Sequence, residues 1–192
     1  LGDVYKRQLY LEYVTLLNQL GRYEEAIHMI DARRFHPWEG GEGKVPAQYQ
    51  LARVELVKAC LKAGENEKAL FLIEECFIYP HNLGEGKLYG AQENDFNYYK
   101  ACALQALGRE AEARELFLAA STGNSQPAAA MYYNDQKPDK IFYQGLAFRK
   151  LGREDEARGC FNRLIDFGEK HLFDTFKTVS YTHLRAHETG AY

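Results

Sequence analysis

Two stretches gather the side chains best suited to holding or polarising a ligand: HPWEGGEGKV at 36–45 and HNLGEGKL at 81–88. Each sets a histidine a few residues ahead of Gly-Glu-Gly-Lys. Glycine beside lysine suggests a phosphate-cradling loop, but that loop needs GxxxxGK followed by Ser or Thr, entered from a strand. Val45 and Leu88 stand where the hydroxyl would be, and no strand-like run precedes either stretch. Nucleotide binding is set aside on those grounds. What remains is a set of directed polar groups around a flat ring. His36, Trp38, Glu39, Glu42 and Lys44 belong to the first stretch, and His81, Asn82, Glu85 and Lys87 to the second. An indole beside carboxylates and imidazoles suits recognition of a sugar or a peptide. The plainer alternative is that Gly40, Gly41, Gly43, Gly84 and Gly86 make tight turns and the charges form a solvated rim.

Catalysis has little support. No Ser/His/Asp order, no HExxH and no apolar-embedded pair of carboxylates occurs, so no catalytic residue is assigned and the chain is read as non-enzymatic. Cys60, Cys76, Cys102 and Cys160 lie far apart, each within an apolar helical pattern. Without CxxC or a Cys/His metal spacing, neither a metal nor a cofactor is expected. Reduced, buried thiols point to the cytoplasm. The net charge of −3 is mixed along the chain, leaving no basic stripe to neutralise phosphates, so nucleic acid is not the expected partner. No apolar run approaches the ~18 residues of a membrane span.

The elements that carry these stretches come from a repeat. LNQLGRYEEAI, CLKAGENEKAL, LQALGREAEAR and FRKLGREDEAR each place alanine five residues after glycine: Gly21/Ala26, Gly64/Ala69, Gly108/Ala113 and Gly152/Ala157. The glycines recur every 43 or 44 residues, and Ile30, Ile73, Phe117 and Phe161 each lie nine residues beyond theirs. A fixed period of this size marks a repeat array. Apolar residues before each glycine fall at helical spacing, glycine suits the left-handed residue that ends a helix, and the acidic residues just after it suit a helix start. Alanine at the constant offset lets two helices approach closely. Helices are expected near 9–20, 23–34, 47–63, 66–78, 92–107, 110–121, 138–151 and 154–167.

The Gly–x4–Ala–x3–Ile/Phe pattern, over roughly 9–167, resembles the tetratricopeptide repeat. It departs from that family in lacking the first-helix Trp, for which Tyr10 and Ile141 are the nearest substitutes, and in a period about ten residues longer than 34. The resemblance implies an all-α, right-handed solenoid of four helix–turn–helix units (9–34, 47–78, 92–121 and 138–167), with long inter-unit loops and a further helix at 169–177. The function it implies is a non-catalytic scaffold for a protein partner or a companion domain in the same polypeptide. The excess length falls at 35–46, 79–91 and 122–137, always after the second helix of a unit, so the loops are expected on one edge with the two GEGK segments side by side. In the third loop, which also supplies Asn134 and Asp135, Ser125 and Pro127 are expected to open a short helix, and Tyr132 and Tyr133 to cover the last two units. First helices are expected to present Leu11, Thr15, Asn18, Val54, Lys58, Tyr98, Gln105, Phe142 and Arg149 along a groove.

A second resemblance rests on RRFHPWEGGEGKV, YPHNLGEGKLYGAQENDFNYYKA and AMYYNDQKPDKIFYQGLA. These look like the C-terminal repeat region of large, mostly bacterial proteins whose N-terminal domain is similar to a mutarotase-like β-supersandwich. It implies an alternative function: an accessory segment of a carbohydrate-active protein, its loops helping to form a sugar site. The two ends, LGDVYKRQ at 1–8 and residues 178–192 with VSYTHLRAHETGAY, resemble translated sequencing-adapter DNA. They are left out of the functional argument, and the native termini are expected to be missing.

Overall fold

The computed structural model describes residues 2–37, 40–128 and 136–174, with side chains from Gln8 onward. The described residues are all-helical: α1 (Gly2–Gln19), α2 (Tyr23–Asp31), α3 (Lys44–Ala63), α4 (Asn66–Cys76), α5 (Asn94–Ala106), α6 (Glu110–Ala120), α7 (Pro138–Lys150) and α8 (Glu154–His171). A single 3-10 turn over His81–Leu83 joins them, and no strand occurs among the described residues.

The same turn is built four times. Gly21, Gly64, Gly108 and Gly152 all have φ between +73° and +78°. Open space surrounds each, so it is the left-handed backbone that requires glycine there. The next residue folds back: the Arg22 N–H donates to the Leu17 carbonyl at 2.8 Å, Glu65 to Cys60, Arg109 to Leu104 and Arg153 to Phe148, each at 2.9 Å. These six-to-one bonds use up carbonyls that a helix end leaves orphaned. Three turns are then closed by an ion pair from that arginine, Arg22–Glu25, Arg109–Glu112 and Arg153–Glu156. The second hairpin reverses the charges as Glu65–Lys68. The alanines that follow are buried, Ala26, Ala69 and Ala157 fully and Ala113 nearly so, which lets the paired helices close.

Each odd-numbered helix packs on the even-numbered one after it, each even one on the next odd one, and α1, α3, α5 and α7 also touch in succession. The α5–α7 contact keeps a register of one repeat. Tyr99 and Tyr143 share a hydroxyl hydrogen bond at 3.0 Å, and Lys150 donates to the Gln105 side chain at 2.8 Å. Lys140 meets Asp95 at 2.5 Å with both side chains almost buried. Packing is contiguous: Val14, Leu17, Ala26 and Ile30 from the first hairpin share one core with Val45, Tyr49 and Ala52 of α3.

Several expectations are corrected. α3 begins at Lys44 rather than 47, because Gly43 enters it from φ +74° and Pro46 is tolerated in a first turn. Of the first GEGK segment only Lys44 is helical, with Gly43 as the cap residue before it. α8 continues unbroken to His171, so residues 169–171 are its last turn and not a new helix; 175–177 lie outside the described residues, as does the C-terminal end 178–192, whereas residues 2–8 open α1, which starts at Gly2 rather than at 9. Residues 122–128 carry no helix, so Ser125 and Pro127 do not open one there, while Tyr132, Tyr133, Asn134 and Asp135 lie outside the described residues. Leu11, Asn18 and Val54 do not line a groove but are buried in the packing between helices.

Candidate functional site

The first two loops are tied to each other before they are tied to anything else. After α2 ends, Phe35 turns inward and is 1% exposed, and Leu83 of the second loop fills the same core at 1%. The Phe35 N–H donates to the Asn82 carbonyl at 2.7 Å. The Asn82 side chain returns the contact, donating from Nδ2 to the Ile30 and Arg33 carbonyls at 3.0 and 3.2 Å. Those are carbonyls at the C-terminal end of α2, where intrahelical donors run out.

Gly84 follows, at φ +78°, and an added Cβ would stand 2.6 Å from the Phe35 carbonyl oxygen. Only glycine admits so close an approach of backbone to backbone. The next residue, Glu85, accepts the Gly43 N–H on Oε2 at 2.6 Å. Gly43 is the N-cap residue of α3, and its N–H is one of the donors a helix start leaves orphaned, so the Glu85 carboxylate satisfies it as the glutamate of a capping box does. Lys87 then pairs with Glu93 and donates to the Phe77 carbonyl at 3.4 Å.

The nine residues singled out in the sequence divide accordingly. Asn82, Glu85 and Lys87 spend polar atoms on holding the chain together. His36, Glu42, Lys44 and His81 are exposed. Trp38 and Glu39 lie outside the described residues. The two loops are brought together by the Phe35–Asn82 and Gly43–Glu85 hydrogen bonds, and the exposed His36, Glu42, Lys44 and His81 lie within a few residues of those contacts in sequence. Among the described residues no group of three or more His, Cys, Asp or Glu is placed to hold a metal.

Spacing did not reveal the aromatic cluster on α5 and α7. Tyr98, Tyr99 and Tyr143 lie ring against ring at 5.4–5.7 Å. Burial pushes the Tyr98 and Tyr99 phenols well above the ordinary tyrosine value, helped at Tyr99 by the Tyr143 hydrogen bond. Tyr99 and Tyr143 stand one repeat apart, as do Asp95 and Lys140 to within a residue, and that coincidence was the available signal. Burial likewise raises all four thiols, Cys76 to about 12, which keeps them protonated and poor nucleophiles. Among the described residues no helix is long and apolar enough to cross a membrane. No protein-family model matches the chain, and no solved structure matches it.

Proposed function

We propose that this chain is a right-handed, tetratricopeptide-like solenoid acting as a non-catalytic scaffold, and that the edge built from its first two loops docks a companion domain of the same polypeptide or a protein partner. The observation that carries this reading is the Glu85–Gly43 hydrogen bond, which fuses two loops one repeat apart into a single surface. The second loop serves both helices that flank the first, Asn82 at the end of α2 and Glu85 at the start of α3. Exposed His36, Glu42, Lys44 and His81 supply donors and acceptors on that surface. The rigid hairpins beneath keep it preorganised, which lowers the entropic cost of binding.

The test uses the neighbouring domain of the parent polypeptide expressed as a separate chain, titrated calorimetrically against wild type and against a His36→Ala/Glu42→Gln/Lys44→Ala variant. Binding by wild type and its loss in the variant, at unchanged melting temperature, support the reading. A glycan array forms the second arm. Sugar binding without companion binding moves the assignment to an accessory role in a carbohydrate-active protein, and binding to neither overturns the edge as a functional site.

A further inference from the structure

Repeat register singles out one junction inside the chain. Six residues past the repeat glycine, the first three hairpins carry Ile27, Leu70 and Arg114. Ile27 and Leu70 are partly buried and pack on the cores around them. Two residues past the glycine, Tyr23 and Asn66 are likewise partly covered, whereas Glu110 is exposed. The third hairpin thus turns polar where the first two are closed. A cleft of ≈ 290 Å³ opens there between α6 and α7, walled by Gln105, Glu110, Arg114, Phe117, Lys150 and Leu151.

The charges in this cleft are held in place but not neutralised. Lys150 Nζ donates to Gln105 Oε1 at 2.8 Å and stands 5.7 Å from the centre of the Phe117 ring. Gln105 Nε2 in turn donates to the Glu110 carboxylate at 3.3 Å. A neutral amide therefore sits between the ammonium and the carboxylate. Glu110 and Arg114 have the four-residue helical spacing of an ion pair, yet neither makes one among the described residues. Arg114 has no partner of any kind among them. Two cations and one carboxylate leave an excess of one positive charge above an apolar floor. That balance suits a monoanion, since Glu110 repels a second negative charge.

We propose that the cleft between α6 and α7 binds a small organic carboxylate with an apolar or aromatic body. The Arg114 guanidinium takes the carboxylate in two parallel hydrogen bonds, and Lys150 adds its charge. The body lies against Phe117 and Leu151. The volume is that of a small-molecule pocket rather than of a peptide groove. The inference is independent of the loop edge, because every wall residue comes from α5, α6 or the end of α7.

A chemical-shift titration of the full chain with 3-phenylpropionate, up to about 10 mM, tests it. Wild type is expected to saturate with a Kd of about 1 mM or tighter, with the shifts centred on α6 and α7. The amide 3-phenylpropionamide keeps the shape without the charge and should bind about tenfold more weakly or worse. Arg114→Leu should weaken carboxylate binding by about tenfold or more. It should also raise the melting temperature, since it supplies the apolar side chain that Ile27 and Leu70 supply elsewhere. Arg158→Leu, at the same register in the last hairpin but outside the cleft, should leave binding unchanged. No saturation by wild type, equal binding of acid and amide, or wild-type affinity in Arg114→Leu each overturns the proposal. Inorganic phosphate that binds the cleft more tightly than the acid overturns it as well. Circular dichroism confirms folding; where Arg114→Leu loses helicity, Lys150→Met replaces it with the same expected loss of binding.

Discussion

The Glu85 carboxylate accepts the Gly43 N–H at 2.6 Å across 42 residues of sequence, satisfying the start of α3, the first helix of the unit that its own loop follows. A cap supplied from a distant loop couples two things that are usually separate, helix initiation and loop position. Glu85→Ala should therefore cost about 1 kcal/mol, as the loss of a capping hydrogen bond does. For a chain of this length that lowers the melting temperature by roughly 2–4 °C. Glu42→Ala, at the matching position of the exposed first segment, should stay within about 0.5 kcal/mol. Equal losses in the two variants would mean that the bond contributes nothing.

Gly84 and Gly86 flank Glu85 and look interchangeable in sequence, yet they should respond very unequally to alanine. At Gly84 a Cβ meets the Phe35 carbonyl at 2.6 Å on a backbone of φ +78°, while at Gly86 nothing stands within 4 Å. Gly84→Ala is expected to destabilise by about 2 kcal/mol or more, and Gly86→Ala by less than about 0.5 kcal/mol. Urea denaturation of the pair measures the difference.

Acid should loosen the hairpin turns. Hydrogen bonds from Arg22, Arg109 and Arg153 hold the carboxyls of Glu25, Glu112 and Glu156 below the usual glutamate value. The folded chain then binds fewer protons at these sites than the unfolded one. Their contribution is whole above the ordinary value of about 4.3 and is lost as the pH falls through the lower folded values. A triple Glu→Gln variant should flatten the acid limb of a melting-temperature profile taken down to about pH 3. The pairs are solvent-exposed, so the change should be small and should shrink with added salt.

Alkali should act on the second hairpin. Burial pushes the Tyr49 hydroxyl and the Cys76 thiol each up to about 12. The folded chain favours their neutral forms, so this stabilisation is whole below the ordinary values of about 8.5 for cysteine and about 10 for tyrosine. It is lost as pH rises toward about 12. Between pH 8 and 11, denaturation midpoints should fall for wild type and fall less steeply for Cys76→Ala. Parallel slopes would assign the decline elsewhere.

The hairpins were legible because their information is local. A glycine with φ above +70°, an alanine five residues on and an acidic first turn sit within one stretch, and the structure gives all four the same six-to-one bond. The loops were legible only in part. That Gly84 touches Phe35, or that Asn82 serves carbonyls of α2, leaves no trace in local spacing, because the partners come from a different repeat. For the same reason Asn82, Glu85 and Lys87 resembled ligand-holding groups when read alone. Polar residues in a Gly-rich loop look identical whether they face a ligand or a neighbouring backbone. The start of α3 at Lys44 was hidden by Pro46, which reads as a helix breaker unless it falls in a first turn.

The Asn82–Ile30 hydrogen bond spans 52 residues, and the principal helix contacts join elements one or two places apart. Information in such a molecule travels only from neighbour to neighbour. Under tension applied at its ends, the chain should yield hairpin by hairpin rather than in a single rupture, each event releasing one repeat's worth of contour. Amide exchange should follow the same grading: slowest where α3, α4 and α5 are flanked on both sides, and fastest toward α1 and α8.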